Sequence, residues 1–201
     1  MNEPIRVLHV FGALDAGGVE NFVMNLYRRI DRTKIQFDFA MTHGRTGIYD
    51  AEVLGLGGRI FYLDRTKSTR ENLRALMKKE RFDAIHSHVF FYSGFVLREA
   101  NKAGVPIRIA HAHNAYTGEH RSAIRVMYES YMRLLIRRNA TLLLGCSAKA
   151  CQYVFGESAK ASVLPDGIDC SRFAYDPEAR SEVRKELAIE DRYVIGHVGH
   201  F

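Results

Sequence analysis

Four histidines fall in two short apolar runs, "AIHSHV" and "IRIAHAH", as the pairs His86/His88 and His111/His113. Side chains two apart on a strand share a face, so each pair projects to one side and the four imidazoles can converge above a sheet. Two chemistries use such a set. Imidazoles bind transition metals, but no carboxylate or cysteine accompanies these at ligand spacing, so no metal is expected. The other is polar contact with a ligand at the strand ends. His113 hands its run over to the polar loop "NAYTGEH", at the end of a strand where open α/β sheets place ligands. His111 shares its face and competes for the same role; His88 and Asn114 are candidates for lining the same space.

A second feature lies in "FGALDAGGVENFVMNL", residues 11–26, where Gly17 and Gly18 separate an apolar run from an amphipathic one. The run before it, "IRVLHV", is short and β-branched and reads as a strand buried on both faces. After it, Phe22, Val23, Leu26 and Ile30 recur at helical spacing. The glycines therefore mark a strand-to-helix turn with backbone N–H groups facing an anion, and no Cβ would hinder its approach. Glu20, in the first helical turn, complements the positive end of that helix.

These residues need elements to hold them, and the chain supplies an alternation. Strands are expected at 5–10, 35–42, 59–63, 82–89, 106–113, 140–145 and near 161–164. Between them lie helices: a short one stopping at Gly57 and Gly58, one capped by Ser68 or Thr69 with Leu73, Leu76 and Met77 as its stripe, one at 95–103, one at 122–138, and one ending at Gly156, for which Ser147 is the cap. Strand-helix alternation at this spacing predicts a mostly parallel sheet with helices on both faces, a Rossmann-like α/β fold. Asp166, Gly167 and Asp169 form a turn beyond the last of these strands. The closing run "DRYVIGHVGHF" begins like a strand and lacks the helix the alternation demands. It is expected to open a second domain or to dock onto this one, giving domains 1–190 and 191–201.

Composition removes several function classes. No apolar run approaches the roughly 20 residues a membrane span requires. Three cysteines without paired metal spacing, and no leader pattern, fit a reduced cytoplasmic protein. A net charge of +6 suits phosphorylated ligands, anionic lipid or nucleic acid without choosing among them.

Four segments in order, "GGVE" (17–20), "HSHVF" (86–90), "IAHAHN" (109–114) and "LPDGIDCSRF" (164–173), resemble the amino-terminal half of a GT-B, family 4 glycosyltransferase. The resemblance covers essentially the whole chain, with Asp166 standing where the family has Asn and His200 where it has Arg. It implies a retaining hexosyltransferase-type enzyme of polysaccharide biosynthesis. Sugar would pass from a nucleotide diphosphate sugar to a glycan or lipid-linked acceptor with no cofactor or metal. It further implies His113 as the catalytic histidine at the donor sugar, and Gly17 and Gly18 at the donor diphosphate and sugar. His88, His111 and Asn114 would lie on the acceptor side, with Asp166, Gly167 and Asp169 at the interdomain hinge. Most of the nucleotide site would belong to a second domain, so this fragment alone is expected to be inactive.

Two other classes compete. An NAD(P)-binding oxidoreductase domain expects G-x-G-x-x-G where the chain has "GALDAGG"; a nucleic-acid-binding module expects a recognition motif that is not seen. Helix 121–138 interleaves arginines with Met, Tyr, Leu and Ile. It reads either as a core-packed helix with a solvated basic face or as a peripheral contact with the inner face of a membrane.

Overall fold

A computed structural model of the chain describes residues 3–63, 68–115 and 122–197. It divides into two units, 1–167 and 168–201. The first runs β1 (Ile5–Phe11), α1 (Gly18–Arg29), β2 (Ile35–Met41), α2 (Asp50–Gly55), β3 (Ile60–Tyr62), α3 (Thr69–Glu80), β4 (Ala84–Ser87), α4 (Ser93–Ala103), β5 (Ile107–Ala112), α5 (Ala123–Asn139), β6 (Leu142–Gly145), α6 (Ala148–Phe155) and β7 (Ser162–Val163). All seven strands are parallel, in the order β3-β2-β1-β4-β5-β6-β7. The expected Rossmann-like α/β architecture is the one observed. Because the order reverses between β1 and β4, the helices leaving these strands diverge and open a crevice at their carboxyl ends.

Side-chain parity assigns the two faces. Leu8, Val10, Ile85, Ala110 and Ala112 pack with residues of α3, α4, α5 and α6. Phe11, Phe37, Phe39 and Met41 pack with Val23, Met24 and Tyr27 of α1 and Val53 of α2. On β4 and β5 and the residue that follows each, this second face carries His86, His88, His111 and His113 in place of aliphatic groups, since their neighbours Ile85, Ala110 and Ala112 point the other way. A polar cluster thus occupies a region where a sheet of this kind ordinarily buries Val and Ile.

The opposite, amino-terminal ends of the strands are tied by charge. Asp38 is fully buried and accepts hydrogen bonds from Arg6 at 2.6 and 2.8 Å and from Arg59, which also reaches Glu80 at 2.6 Å. Burial alone would raise the Asp38 pKa, but the hydrogen bonds from Arg59 and Arg6 outweigh it and hold the carboxyl below its ordinary range.

Local signals behave mostly as expected. Ser147 caps α6 by accepting from the Ala150 N–H, and Ser122 does the same for α5. Ser68 stands at the N-cap of α3, yet its side chain makes no capping hydrogen bond. The second unit contains a helix the alternation did not announce, α7 (Pro177–Glu186), with Asp176 accepting from the N–H groups of Glu178 and Ala179. Its signature, Asp followed by Pro at the first helical position, is present in the sequence. No strand forms over 191–197, the described part of the closing run; its remainder, with His200, lies outside the described residues.

Candidate active site

The carboxyl ends of β1, β2, β4 and β5 surround a cleft of about 580 Å³. Gly17 and Gly18 from the start of α1, His88 beyond β4, His113 and Asn114 beyond β5, and Asp166 beyond β7 all line it. Two glycines, a histidine and its neighbours, separated by a hundred residues of sequence, therefore share one rim. Phe11, Thr42, His43 and Phe90 complete the wall. Phe11 and Phe90 lie inside the motif segments without being singled out by them, and Thr42 and His43 carry no local signal; strand order recruits all four. Phe90 adopts φ 50°, a left-handed conformation that a bulky residue holds only where its surroundings enforce it.

The two glycines differ. A Cβ on Gly17 would lie 2.1 Å from Oε2 of Glu20, so the space beside Gly17 is already taken by the chain's own carboxylate. Burial raises the pKa of Glu20, while its hydrogen bond with its own backbone N–H works the other way. At Gly18 a Cβ would meet nothing within 4 Å. Nothing in the protein requires a glycine there, and the volume it leaves empty belongs to the cleft. Close approach of a ligand, expected of both residues, is therefore available at Gly18, whereas at Gly17 it requires Glu20 to move.

The histidines form a connected set of five rather than four. His9, on β1, places Nδ1 3.0 Å from Nε2 of His88, and Nδ1 of His88 lies 2.9 Å from Nε2 of His113. A second pair joins Nε2 of His86 to Nδ1 of His111 at 3.2 Å. His9 stacks among Phe11, Phe37 and Phe39 and is 1% exposed. His111 is likewise 1% exposed, with Phe22 of α1 edge-on to its ring. It is buried one strand repeat below the rim, and of the two histidines it is His113 that lines the cleft. The Cys146 thiol donates to the His113 carbonyl at 3.2 Å and steadies the strand end from behind.

Burial sets the charge of this cluster. It lowers the pKa of His9 and His113 to about 3 and that of His111 to about 4, and drives His86 and His88 well below the ordinary range; neighbouring imidazoles add to the effect at all but His111. All five rings are neutral at pH 7. The approach of His113 Nδ1 to Asp166 Oδ1, 3.6 Å, is therefore no ion pair, and it is too long for a hydrogen bond. Burial raises the pKa of Asp166. Nδ1 of His113 is buried and unpartnered, at the edge of the cleft.

Nitrogens of His9, His86 and His88, and of His88, His111 and His113, lie within 4.8 Å of one another. Most of the nitrogens concerned already face another imidazole at 2.9–3.2 Å, the separation of a shared proton.

Of the turn residues, Asp166 reaches the cleft, Gly167 ends the first unit, and Asp169 lies in the second, where its carboxylate accepts from Ser171 N–H. Most of the loop after Asn114, residues 116–121 including Arg121, lies outside the described residues.

α5 is two-faced. Met132, Leu135 and Ile136 are buried, while Ile124, Met127, Tyr128, Tyr131 and Leu134 form an exposed apolar stripe along its outer side. A purely basic solvated face does not describe it. Arg125, itself exposed, bonds along the helix to the buried Glu129, and Arg133 reaches the carbonyls of Tyr153 and Val154. No helix among the described residues is long and apolar enough to cross a membrane.

Comparison with known proteins places this geometry. The model of Glycosyltransferase Family 4 matches residues 16–172. "Putative glycosyltransferase EpsF" of Bacillus subtilis (strain 168) is 38% identical over 98% of this chain and 54% of its own length. "Capsular polysaccharide biosynthesis glycosyltransferase CapH" of Staphylococcus aureus is 34% identical over 53% of this chain and 30% of its own. The structure of Anabaena Alr3699/HepE in complex with UDP and glucose shares the fold, with a TM-score of 0.78 over 98% of this chain and 54% of that one at 14% identity. The chain spans about half the length of EpsF and of HepE. The oxidoreductase and nucleic-acid readings fall away on these matches. With residues 16–172 under one family model and EpsF similar along 98% of the sequence, this chain belongs to Glycosyltransferase Family 4.

Proposed function

We propose that this chain forms the acceptor-side half of a retaining, hexosyltransferase-type enzyme. It would move a sugar from a nucleotide diphosphate sugar to a glycan or lipid-linked acceptor in polysaccharide assembly. The observation that carries the reading is the shared rim: Gly18, His113, Asn114 and Asp166 face one cleft at the switch point of the sheet. Such a cleft suits this chemistry. Negative charge develops on the leaving diphosphate, and the start of α1, with its backbone N–H groups pre-aimed and Gly18 open to close approach, stabilises that charge without reorganising. His113 touches the transferring sugar; His88 and Asn114 line the acceptor side. A positive helix end can balance the diphosphate without a divalent ion, so the reading includes neither cofactor nor metal. The UDP and glucose of HepE and the capsular polysaccharide role in the name of CapH support the donor and pathway classes.

Asp166, Gly167 and Asp169 serve in this reading as the hinge to a second domain that holds most of the nucleotide, so the chain alone binds donor weakly and does not turn over. The outer stripe of α5, with Arg137 and Arg138 exposed at its end, rests on the inner face of the membrane where a lipid-linked acceptor is presented.

The test uses the enzyme carrying both domains, offered nucleotide sugars with cell-envelope glycan acceptors. Release of nucleoside diphosphate should fall at least about 100-fold in His113→Ala, with the folded circular dichroism spectrum retained and the thermal midpoint lowered, because the lost ring leaves Nδ1 of His88 without its partner. Full activity in that variant removes His113 from the site, and no release from any donor by the unaltered enzyme removes the transferase reading.

A further inference from the structure

Beneath His113 lies a line of imidazoles that the transfer reaction does not itself require. From β1 to β5 the contacts run His9 Nδ1 to His88 Nε2 at 3.0 Å, then His88 Nδ1 to His113 Nε2 at 2.9 Å, and His113 Nδ1 then faces Asp166 Oδ1 at 3.6 Å. A neutral imidazole carries one proton, so every ring in the line must point the same way. Two arrangements exist. In the first, each Nδ1 is protonated: His9 donates to His88, His88 to His113, and the N–H of His113 is directed at the carboxylate. What is left over is a bare acceptor, Nε2 of His9, in its aromatic surroundings. In the second, each Nε2 is protonated, which strands a buried N–H donor at His9 and turns the lone pair of His113 Nδ1 toward the Asp166 carboxylate. An orphaned N–H donor is the rarer and costlier defect, and lone pair against anion is repulsive, so the first arrangement wins.

We propose that His9 and His88 are positioning residues that lock His113 in its Nδ1–H tautomer, so that the ring presents a hydrogen-bond donor, and never a base, to a substrate oxygen in the cleft. The inference rests on the reading of His113 as a site residue. An isolated imidazole favours the opposite tautomer, and the line exists to overrule that preference. Groups on every neighbouring element agree with it: His86 and His111 are paired with each other on the same face, Asp38 on β2 is held by Arg6 and Arg59, and the Cys146 thiol is committed to the His113 carbonyl. The low pKa values that burial gives all five rings keep the line neutral through the working range of pH. A hydroxyl of the sugar, entering between His113 and Asp166, would accept from Nδ1–H and donate to the carboxylate.

The experiment is long-range proton–nitrogen NMR of the chain labelled with nitrogen-15 in histidine, at pH 7 and without any nucleotide sugar. His113 should show a protonated Nδ1 and an unprotonated Nε2. In His88→Phe, which removes the donor, it should move to the Nε2–H form. In His88→Asn, whose side-chain amide donates from nearly the same position, the Nδ1–H form should persist. A protonated Nε2 in the unaltered chain overturns the proposal whether or not either variant folds, as does a His113 signal indifferent to His88→Phe. Nitrogen shifts of coordinated rather than protonated imidazoles in the chain as purified also overturn it, in favour of a metal held by His88, His111 and His113. Because no donor is present, the tautomer and the transfer reaction stand or fall separately.

Discussion

At the scale of single residues, the two adjacent glycines illustrate how far a sequence motif reaches. "GGVE" announces a turn before a helix, and that turn exists; it says nothing of which glycine faces a ligand. The answer depends on where the Glu20 carboxylate folds back, which no local pattern encodes. Gly18→Ala separates the roles sharply. Its new methyl meets no atom of the protein, and as the first residue of α1 it exchanges a poor helix former for the best, so stability should hold or rise by up to about 1 kcal/mol in denaturant titration. If the proposed donor approaches at Gly18, turnover in the two-domain enzyme should nonetheless fall about tenfold or more, because the methyl projects into the space beside the cleft. Equal turnover in that variant would detach Gly18 from the donor. His9 shows the opposite limit. Within "IRVLHVF" it reads as one polar residue in a buried strand, and only the non-sequential pairing of β1 with β4 sets it against His88.

At the scale of elements, the strands and helices of the first unit were legible because each carries its own period and its own punctuation. Two features were not. α7 escapes a reading by periodicity although Asp176 and Pro177 spell a helix start, because the apolar repeat that marks a helix is absent from a segment with no buried residue. The outer side of α5 was masked by its arginines, whose partners on α6 and within α5 itself are tertiary facts. What those arginines leave outside is apolar: Ile124 is 75% and Met127 68% exposed. Replacing both by Glu should abolish co-sedimentation of the protein with vesicles rich in anionic lipid, since it removes buried apolar area and adds charge of the wrong sign. It should leave the fold unchanged by circular dichroism, because neither side chain is buried. Binding by the unaltered protein that is equal on neutral vesicles would dismiss the lipid role of this helix.

At the scale of the whole molecule, five neutral imidazoles under one roof make folding sensitive to acid. An unfolded chain protonates each of them near pH 6.5, whereas the folded one resists until about 4 for His111 and about 3 for His9 and His113. Above pH 6.5 neither state is charged and stability is complete. Between that pH and about 4 the unfolded state takes up protons that the folded state refuses, so stability falls as pH falls. At pH 5 the loss is about 2 kcal/mol for each of these three imidazoles, and His86 and His88, which burial also holds well below the ordinary range, act in the same direction. Asp38 adds its own loss only at lower pH, and Asp166, with its pKa raised, opposes the trend slightly. The urea midpoint at pH 5 should therefore drop steeply from its value at pH 7; a flat profile over that interval would mean that the rings are not shielded from solvent. The sheet that carries this cluster also ends with unusual economy, in β3 of three residues and β7 of two. Rows of free amides that short give a stray chain almost nothing to zip onto. Edge-to-edge growth along β3 and β7 themselves is thereby discouraged at both flanks of the sheet.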